Sequence, residues 1–176
     1  MRAGRCSCGG QLREVTVATV ELAPLFGLRG TLEGRVPALR CGTCGTETFE
    51  GRMLDRMLLT VARVVLTQPR ILSTEEARFL RKSVLGLTQA RLAERMGINA
   101  ITVADWERGE RAMSKEHDYE LRGIALGNLL GRPADAGQPA QALARDADQI
   151  LGAPRLQAPP KRPKPYVISA AKLMAA

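Results

Sequence analysis

Residues 88–109 read TQARLAERMGINAITVADWERG and divide into two short helices around a glycine. Thr88 offers a hydroxyl to the open N–H groups of a first helix, on which Leu92, Ala93 and Met96 share one face. Gly97 takes the left-handed conformation that a sharp turn needs, Ile98 plugs the corner, and Asn99 caps a second helix running to about Glu107. At about 100° per residue, Val103 and Trp106 point one way while Ile101, Ala104, Asp105 and Arg108 point the other. One face packs and the opposite face stays free.

Two such helices form a helix-turn-helix, whose second helix enters the major groove with its N-terminal residues nearest the base edges. On that reading Ile101 meets a thymine methyl and Asp105 accepts from a cytosine amino group. Asn99, Thr102 and Arg108 lie near phosphates or flanking bases. Thr88, Gln89, Ala100 and Arg111 complete the candidate DNA-contacting set. The same pattern also suits an ordinary α-hairpin in a small helical core. Residue by residue, however, TQARLAERMGINAITVADWERGERAMS resembles the repressor-type (Cro-like, or Xre) helix-turn-helix family: Gln89 follows the first cap, Met96-Gly97-Ile98 forms the turn, and Trp106-Glu107-Arg108-Gly109 ends the motif. The resemblance implies a cytoplasmic DNA-binding module, usually dimeric, with Gln89 on a phosphate.

Upstream, Ser73-Thr74-Glu75-Glu76 is a capping box that opens a helix with Ala77, Leu80 and Val84 inward, closed by Gly86. Before it, residues 51–68 read as a helix striped by Leu54, Met57, Leu58, Val61 and Val65 and stopped by Pro69. It is either a connector between domains or a core helix. Downstream of Ser114 a helix reaches about Leu130, with Leu121, Ile124, Ala125 and Leu129 on one stripe and Leu126 and Leu130 beside it. That apolar width suggests a homodimer, since a palindromic operator in double-stranded DNA is read by a two-fold pair; burial inside one chain is the alternative.

All four cysteines lie in residues 1–50, as Cys6-Ser7-Cys8 and Cys41-Gly42-Thr43-Cys44, and each pair is followed by glycine, Gly9 and Gly45. Between them EVTVATVE (14–21) alternates and residues 31–40 are β-prone. Four thiolates on two turns suit zinc, and a domain with Phe26 and Phe49 as its only aromatics has little core without it. Reduced thiols without metal, or a thiol switch, are the other readings. The order of these parts, with the segment VPALRCGTCG (36–45), resembles the YgiT-type zinc finger of MqsA-like antitoxins, which also end in a repressor-type helix-turn-helix. The resemblance covers about residues 5–130 and implies zinc on Cys6, Cys8, Cys41 and Cys44, a ribonuclease toxin as the zinc domain's partner, and repression of the operon by the other half.

A charge of +8 with pI about 9.9 suits nucleic acid but also other anionic partners. No apolar run approaches the ~20 residues of a membrane span, and MRAGRCSCGG has no signal-peptide core, so a cytoplasmic protein without membrane contact is expected. His117, the sole histidine, suits capping, and no nucleophile, phosphate loop or hydrolase motif accompanies it, so no enzyme is expected. Beyond Gly131 the Pro/Ala-rich composition predicts a mostly disordered basic tail, with phosphate contacts from Lys161, Arg162 and Lys164. Two islands interrupt it: residues 140–151, a transient helix, and residues 166–174, apolar enough to dock.

The expected fold is α+β: a zinc-ribbon-like domain (1–50), a connector helix (51–69), an all-α helix-turn-helix domain (70–131) and the tail (132–176). The expected function is a type II antitoxin that neutralises a toxin and represses its own operon. A free-standing helix-turn-helix regulator with a structural zinc domain, or a thiol- or metal-sensing regulator, are the alternatives.

Overall fold

The computed structural model describes residues 4–131, 138–152, 157–159 and 163–174. The α+β plan holds, with the sheet at the N-terminal end and the helices after it. Strands β1 (Leu12–Glu21) and β2 (Gly30–Cys41) pair antiparallel and are joined by the short helix α1 (Leu22–Phe26). The pairs Val17↔Val36 and Val20↔Leu32 face the core, with a register shift between Val17 and Thr19. β3 (Glu47–Thr48) pairs with the end of β2, and β4 (Tyr166–Ser169) lies parallel to its start.

Helix α2 (Gly51–Leu66) carries the expected stripe, but Met57, Leu58, Leu59, Val61, Ala62, Val65 and Leu66 are all buried, wider than the stripe of a one-sided connector. It is a core helix. Its β-branched residues are held by packing rather than by intrinsic propensity, against α6 (Lys115–Leu130), α7 (Gln138–Arg145) and α9 (Ala171–Met174). A single apolar cluster runs from Val17 in the sheet through Val61 to Leu173.

α3 (Thr74–Phe79) starts on the expected capping box, with Ser73 Oγ accepting from Glu76 N–H and the Glu76 carboxylate accepting from Ser73 N–H. It runs on into a π-helical turn, Leu80–Val84, before α4 (Gln89–Arg95) and α5 (Ala100–Arg108). The end of α2 is tied to α6 by Arg122, which has no solvent exposure. Its guanidinium donates to the carbonyls of Val65, Leu66 and Arg70 and to Asp118, whose other oxygen accepts Leu72 N–H. One buried ion pair thus meets three carbonyls and an N–H around the turn 65–72, of which the Val65 carbonyl also accepts from Gln68 N–H.

Two expectations change. Most of the apolar excess of α6, which suggested a dimer face, is met inside the chain: Leu126 and Leu129 are buried, Leu130 stays exposed, and α7 and α8 (Ala147–Gly152) lie against α6. And within the C-terminal segment the first of the two islands, expected as a transient helix, packs as the second was expected to. Both apolar islands dock, burying Leu143 and Ile150 in the helical pair and Ile168, Ala170 and Leu173 beside the sheet and α2. A few large apolar side chains at the right spacing outweigh proline-rich flanks. Lys161 and Arg162 lie outside the described residues, while Lys164 is exposed. Among the described residues, no helix is long and apolar enough to cross a membrane.

Candidate nucleic-acid interface and four-cysteine site

The turn at residues 96–99 forms as the sequence predicts. Thr88 Oγ1 accepts from Arg91 N–H, Gly97 adopts φ 63°, and Asn99 Oδ1 accepts from Ile101 N–H at 2.9 Å. Leu92, Ala93, Met96, Val103 and Trp106 are buried. Ile101, a large apolar side chain, stands 65% exposed at the start of α5. It stands on the face of α5 opposite the buried Val103 and Trp106.

None of the nine candidate residues is buried. Thr88, Asn99, Ile101, Arg108 and Arg111 are exposed, and Gln89, Ala100, Thr102 and Asp105 are half-buried. Several carry local duties as well. Thr88 and Asn99 are caps, and Arg108 bridges Asp105 at 2.5 Å and Glu110 at 2.8 Å. Gln89, implied by resemblance to sit on a phosphate, points its amide nitrogen at Glu107.

Glu107 is the residue that sequence reasoning missed. It faces inward from α5, and Arg81 grips it bidentately, Nε to Oε1 at 2.6 Å and Nη2 to Oε2 at 2.8 Å. Arg78 pairs with the same carboxylate at 3.6 Å and donates to the Glu107 carbonyl. Burial alone would raise the Glu107 pKa, but the Arg81 and Gln89 hydrogen bonds outweigh it and hold the carboxyl below its ordinary value. The hub fixes α5 to α3 and α4, so the free face of the second helix has one orientation. The signal was available: Glu107 lies one turn after Val103 on the packing side of the wheel, where an acid requires a buried cation.

Beside the start of β1 and the end of β2 the two cysteine pairs meet. Gly9 and Gly45 have φ 86° and 72°, closing two tight turns through Gly9 N–H to Cys6 O and Gly45 N–H to Cys41 O. The four Sγ atoms lie within 4.8 Å of one another, with Cys6–Cys44 at 3.7 Å and Cys8–Cys41 at 3.5 Å. A tetrahedral ion with metal–sulfur bonds of about 2.3 Å has sulfurs about 3.8 Å apart, close to these values and far from a bonded disulfide. The one-residue spacer of the first pair therefore brings Cys6 into the cluster. Gly10 makes the close approach possible, since a Cβ there would meet Thr43 Oγ1 at 2.5 Å and Cys41 Sγ at 2.6 Å.

The thiols are unequal. The Thr46 hydroxyl and N–H are the main influences drawing the Cys44 pKa down to about 6. At Cys8 the Gly10 N–H lowers it, but sharing hydrogen bonds with Cys44, Cys41 and Cys6 raises it to about 12. Backbone N–H groups of Cys44 and Thr43 lower Cys41. Clustered thiols compete for one another's protons, a contest that a cation ends.

The helix-turn-helix family model matches residues 78–117, from within α3 to the first turn of α6. It takes in the hub, both helices and all nine candidate contacts. No match was found among curated proteins or among solved structures. The chain thus carries a helix-turn-helix of the kind that DNA-binding transcriptional regulators use, together with a four-cysteine cluster at metal-binding spacing.

Proposed function

We propose that the protein is a sequence-specific DNA-binding repressor of the cytoplasm whose N-terminal cysteines hold a structural zinc ion. The observation that carries the reading is the free face of α5, with exposed Ile101 and half-buried Thr102 and Asp105, set rigidly by the buried Glu107 hub. Ile101 supplies apolar contact to a thymine methyl, Asp105 accepts from cytosine, and Thr88, Gln89, Asn99, Ala100, Arg108 and Arg111 flank them toward the backbone. Two copies read a palindrome, through a surface other than the covered stripe of α6. Cys6, Cys8, Cys41 and Cys44 serve as the zinc ligands; four thiolates at this spacing suit zinc and leave no open position for catalysis.

Selection from randomised duplexes tests this. The wild-type chain is expected to enrich one sequence. The pair Ile101→Ala and Asp105→Ala flattens that preference more than it weakens binding to bulk DNA, and an unchanged preference would discard the contact assignment.

Resemblance of VPALRCGTCG and the order zinc turn, sheet, helix-turn-helix favour a second, finer reading, in which the repressor is an antitoxin and its N-terminal half neutralises a toxin. Expressing each gene that flanks this one, alone and with this chain, decides it: growth arrest by a neighbour, relieved by this chain, is expected of an antitoxin. Two harmless neighbours would leave the repressor without a toxin.

A further inference from the structure

Beneath the C-terminal end of α5 is a cavity of about 430 Å³ that shares only Arg111 with the candidate DNA-contacting set. Its lining includes Leu72, Trp106 and Met113, the hydroxyl-bearing Thr74, and Pro159 from the C-terminal segment. One charged side chain contributes, that of Arg111, whose guanidinium has no hydrogen-bond or ion-pair partner among the described residues. Arg108, by comparison, is held by two carboxylates. The volume falls in the range of small-molecule sites, and an apolar wall with one unpaired guanidinium selects an apolar body carrying one anionic group.

We propose that this cavity is an effector site for a small aromatic carboxylate, and that its occupation weakens DNA binding. The regulatory half of the proposal rests on the DNA-binding reading above. The ring would lie among Trp106, Leu72 and Met113, and the carboxylate would take the Arg111 guanidinium. Arg111 is one of the candidate backbone contacts, so an acid bound to it withdraws one positive charge from the phosphates. The site also includes Gly109, the left-handed cap that ends α5, and Trp106, its buried anchor, so the occupant touches the base of the reading helix directly.

Trp106 is the only tryptophan in the chain, and it reports its own surroundings. Its emission is titrated with 3-nitrobenzoate, a quencher of the right shape, and with the neutral 3-nitrobenzamide at matched ionic strength. Saturable quenching by the carboxylate is expected, with about tenfold weaker binding of the amide and a similar loss for Arg111→Gln. Ala112→Phe, whose ring fills the cavity from its exposed rim, is expected to abolish saturation in a chain of unchanged circular dichroism. Linear, unsaturable quenching, or equal binding of carboxylate and amide, would overturn the site. In the second arm, saturating 3-nitrobenzoate is expected to raise the dissociation constant for duplex DNA severalfold and to lower its salt slope by about 1, in wild type and not in Arg111→Gln. Unchanged duplex affinity with the acid bound overturns the regulation. A chain that binds no duplex under any condition instead overturns the DNA-binding reading, and the fluorescence arm still decides the site.

Discussion

Gln89 Nε2 donates to Glu107 Oε2 at 2.9 Å, joining the first residue of α4 to the inner face of α5 through the carboxylate that Arg81 already holds. The geometry of the reading helix is therefore set by a buried charge network as well as by apolar packing. Removing the carboxylate leaves the buried Arg81 charge with no counter-ion and only the Leu87 carbonyl to accept from it, so Glu107→Ala is expected to cost about 3 kcal/mol. Glu107→Gln, which keeps the shape and part of the hydrogen bonding, costs less. Urea unfolding monitored at Trp106 measures both, and a loss near zero for Glu107→Ala would show that the hub does not order the motif.

The same residue gives stability a pH dependence of known sign. The Glu107 carboxyl is held below its ordinary value of 4.5 in the folded chain, so its contribution is complete above that value and is lost as pH falls through the lower, folded one. Glu76, between Arg70 and Tyr166, is shifted the same way and adds to the same acid limb. Glu107→Gln is expected to flatten the fall in melting temperature below about pH 4.5, without altering the profile near neutrality. An acid limb of wild-type steepness in that variant would remove Glu107 from the account.

The helix-turn-helix was legible because every local signal agreed: caps at Thr88 and Asn99, a left-handed Gly97, and apolar residues at helical spacing. The cysteine cluster was legible for a similar reason, its glycines and spacing stating the turns in advance. What the sequence hid was long-range. Asp118 and Arg122 are an unremarkable i,i+4 pair on paper, and only folding reveals three distant carbonyls converging on that guanidinium. Likewise, residues 166–174 read as an apolar island able to dock, with nothing to say where. The partner that makes Tyr166–Ser169 a strand is the start of β2, more than a hundred residues away.

Metal binding at the cysteines is expected to be local in its structural reach. Cys41 is buried, while the other three are not, and the sheet beyond them is held by Val17, Val20, Leu32 and Val36 against the common core. Metal analysis of reduced protein is expected to give about one zinc per chain. Chelation should free the turns at residues 5–10 and 41–46 while the helix-turn-helix keeps its melting transition. With Cys8 at about 12 in the metal-free cluster, binding at neutral pH must expel protons, so affinity falls as pH falls. Calorimetry in two buffers of different ionisation enthalpy reads that release. Zinc content near zero would return the cysteines to the thiol-switch alternative.

Thr60 sits in the middle of α2 at 3% exposure, and its Oγ1 is a buried polar atom without a hydrogen-bond partner among the described residues. Thr60→Val keeps the shape and removes the stranded hydroxyl. A gain of about 1 kcal/mol is expected, seen as a higher urea midpoint at unchanged slope. Destabilisation would mean that the hydroxyl has a partner, such as a buried water.

Gly30 governs whether the C-terminal strand can dock at all. Its φ is 143°, and a Cβ there would meet the Tyr166 carbonyl oxygen at 2.3 Å and Tyr166 N at 2.6 Å, both backbone atoms that no rotamer change can move. β4 is otherwise well anchored, through Tyr166 N–H to Arg29 O, the Tyr166 hydroxyl on Glu76, and buried Ile168. Gly30→Ala combines a strained backbone, at about 1–3 kcal/mol, with loss of that pairing. The expected outcome is release of residues 163–174 with the β1–β2 hairpin retained, read as new protease cleavage in that segment and faster amide exchange at Ile168. Because Tyr166 also closes over Glu76, Gly30→Ala is further expected to weaken the Glu76 part of the acid limb. Glu76 would keep only Arg70 and the Ser73 N–H as partners. Wild-type exchange at Ile168 in Gly30→Ala would show that β4 finds its place without the glycine, and that the parallel pairing tolerates a side chain at its first register position.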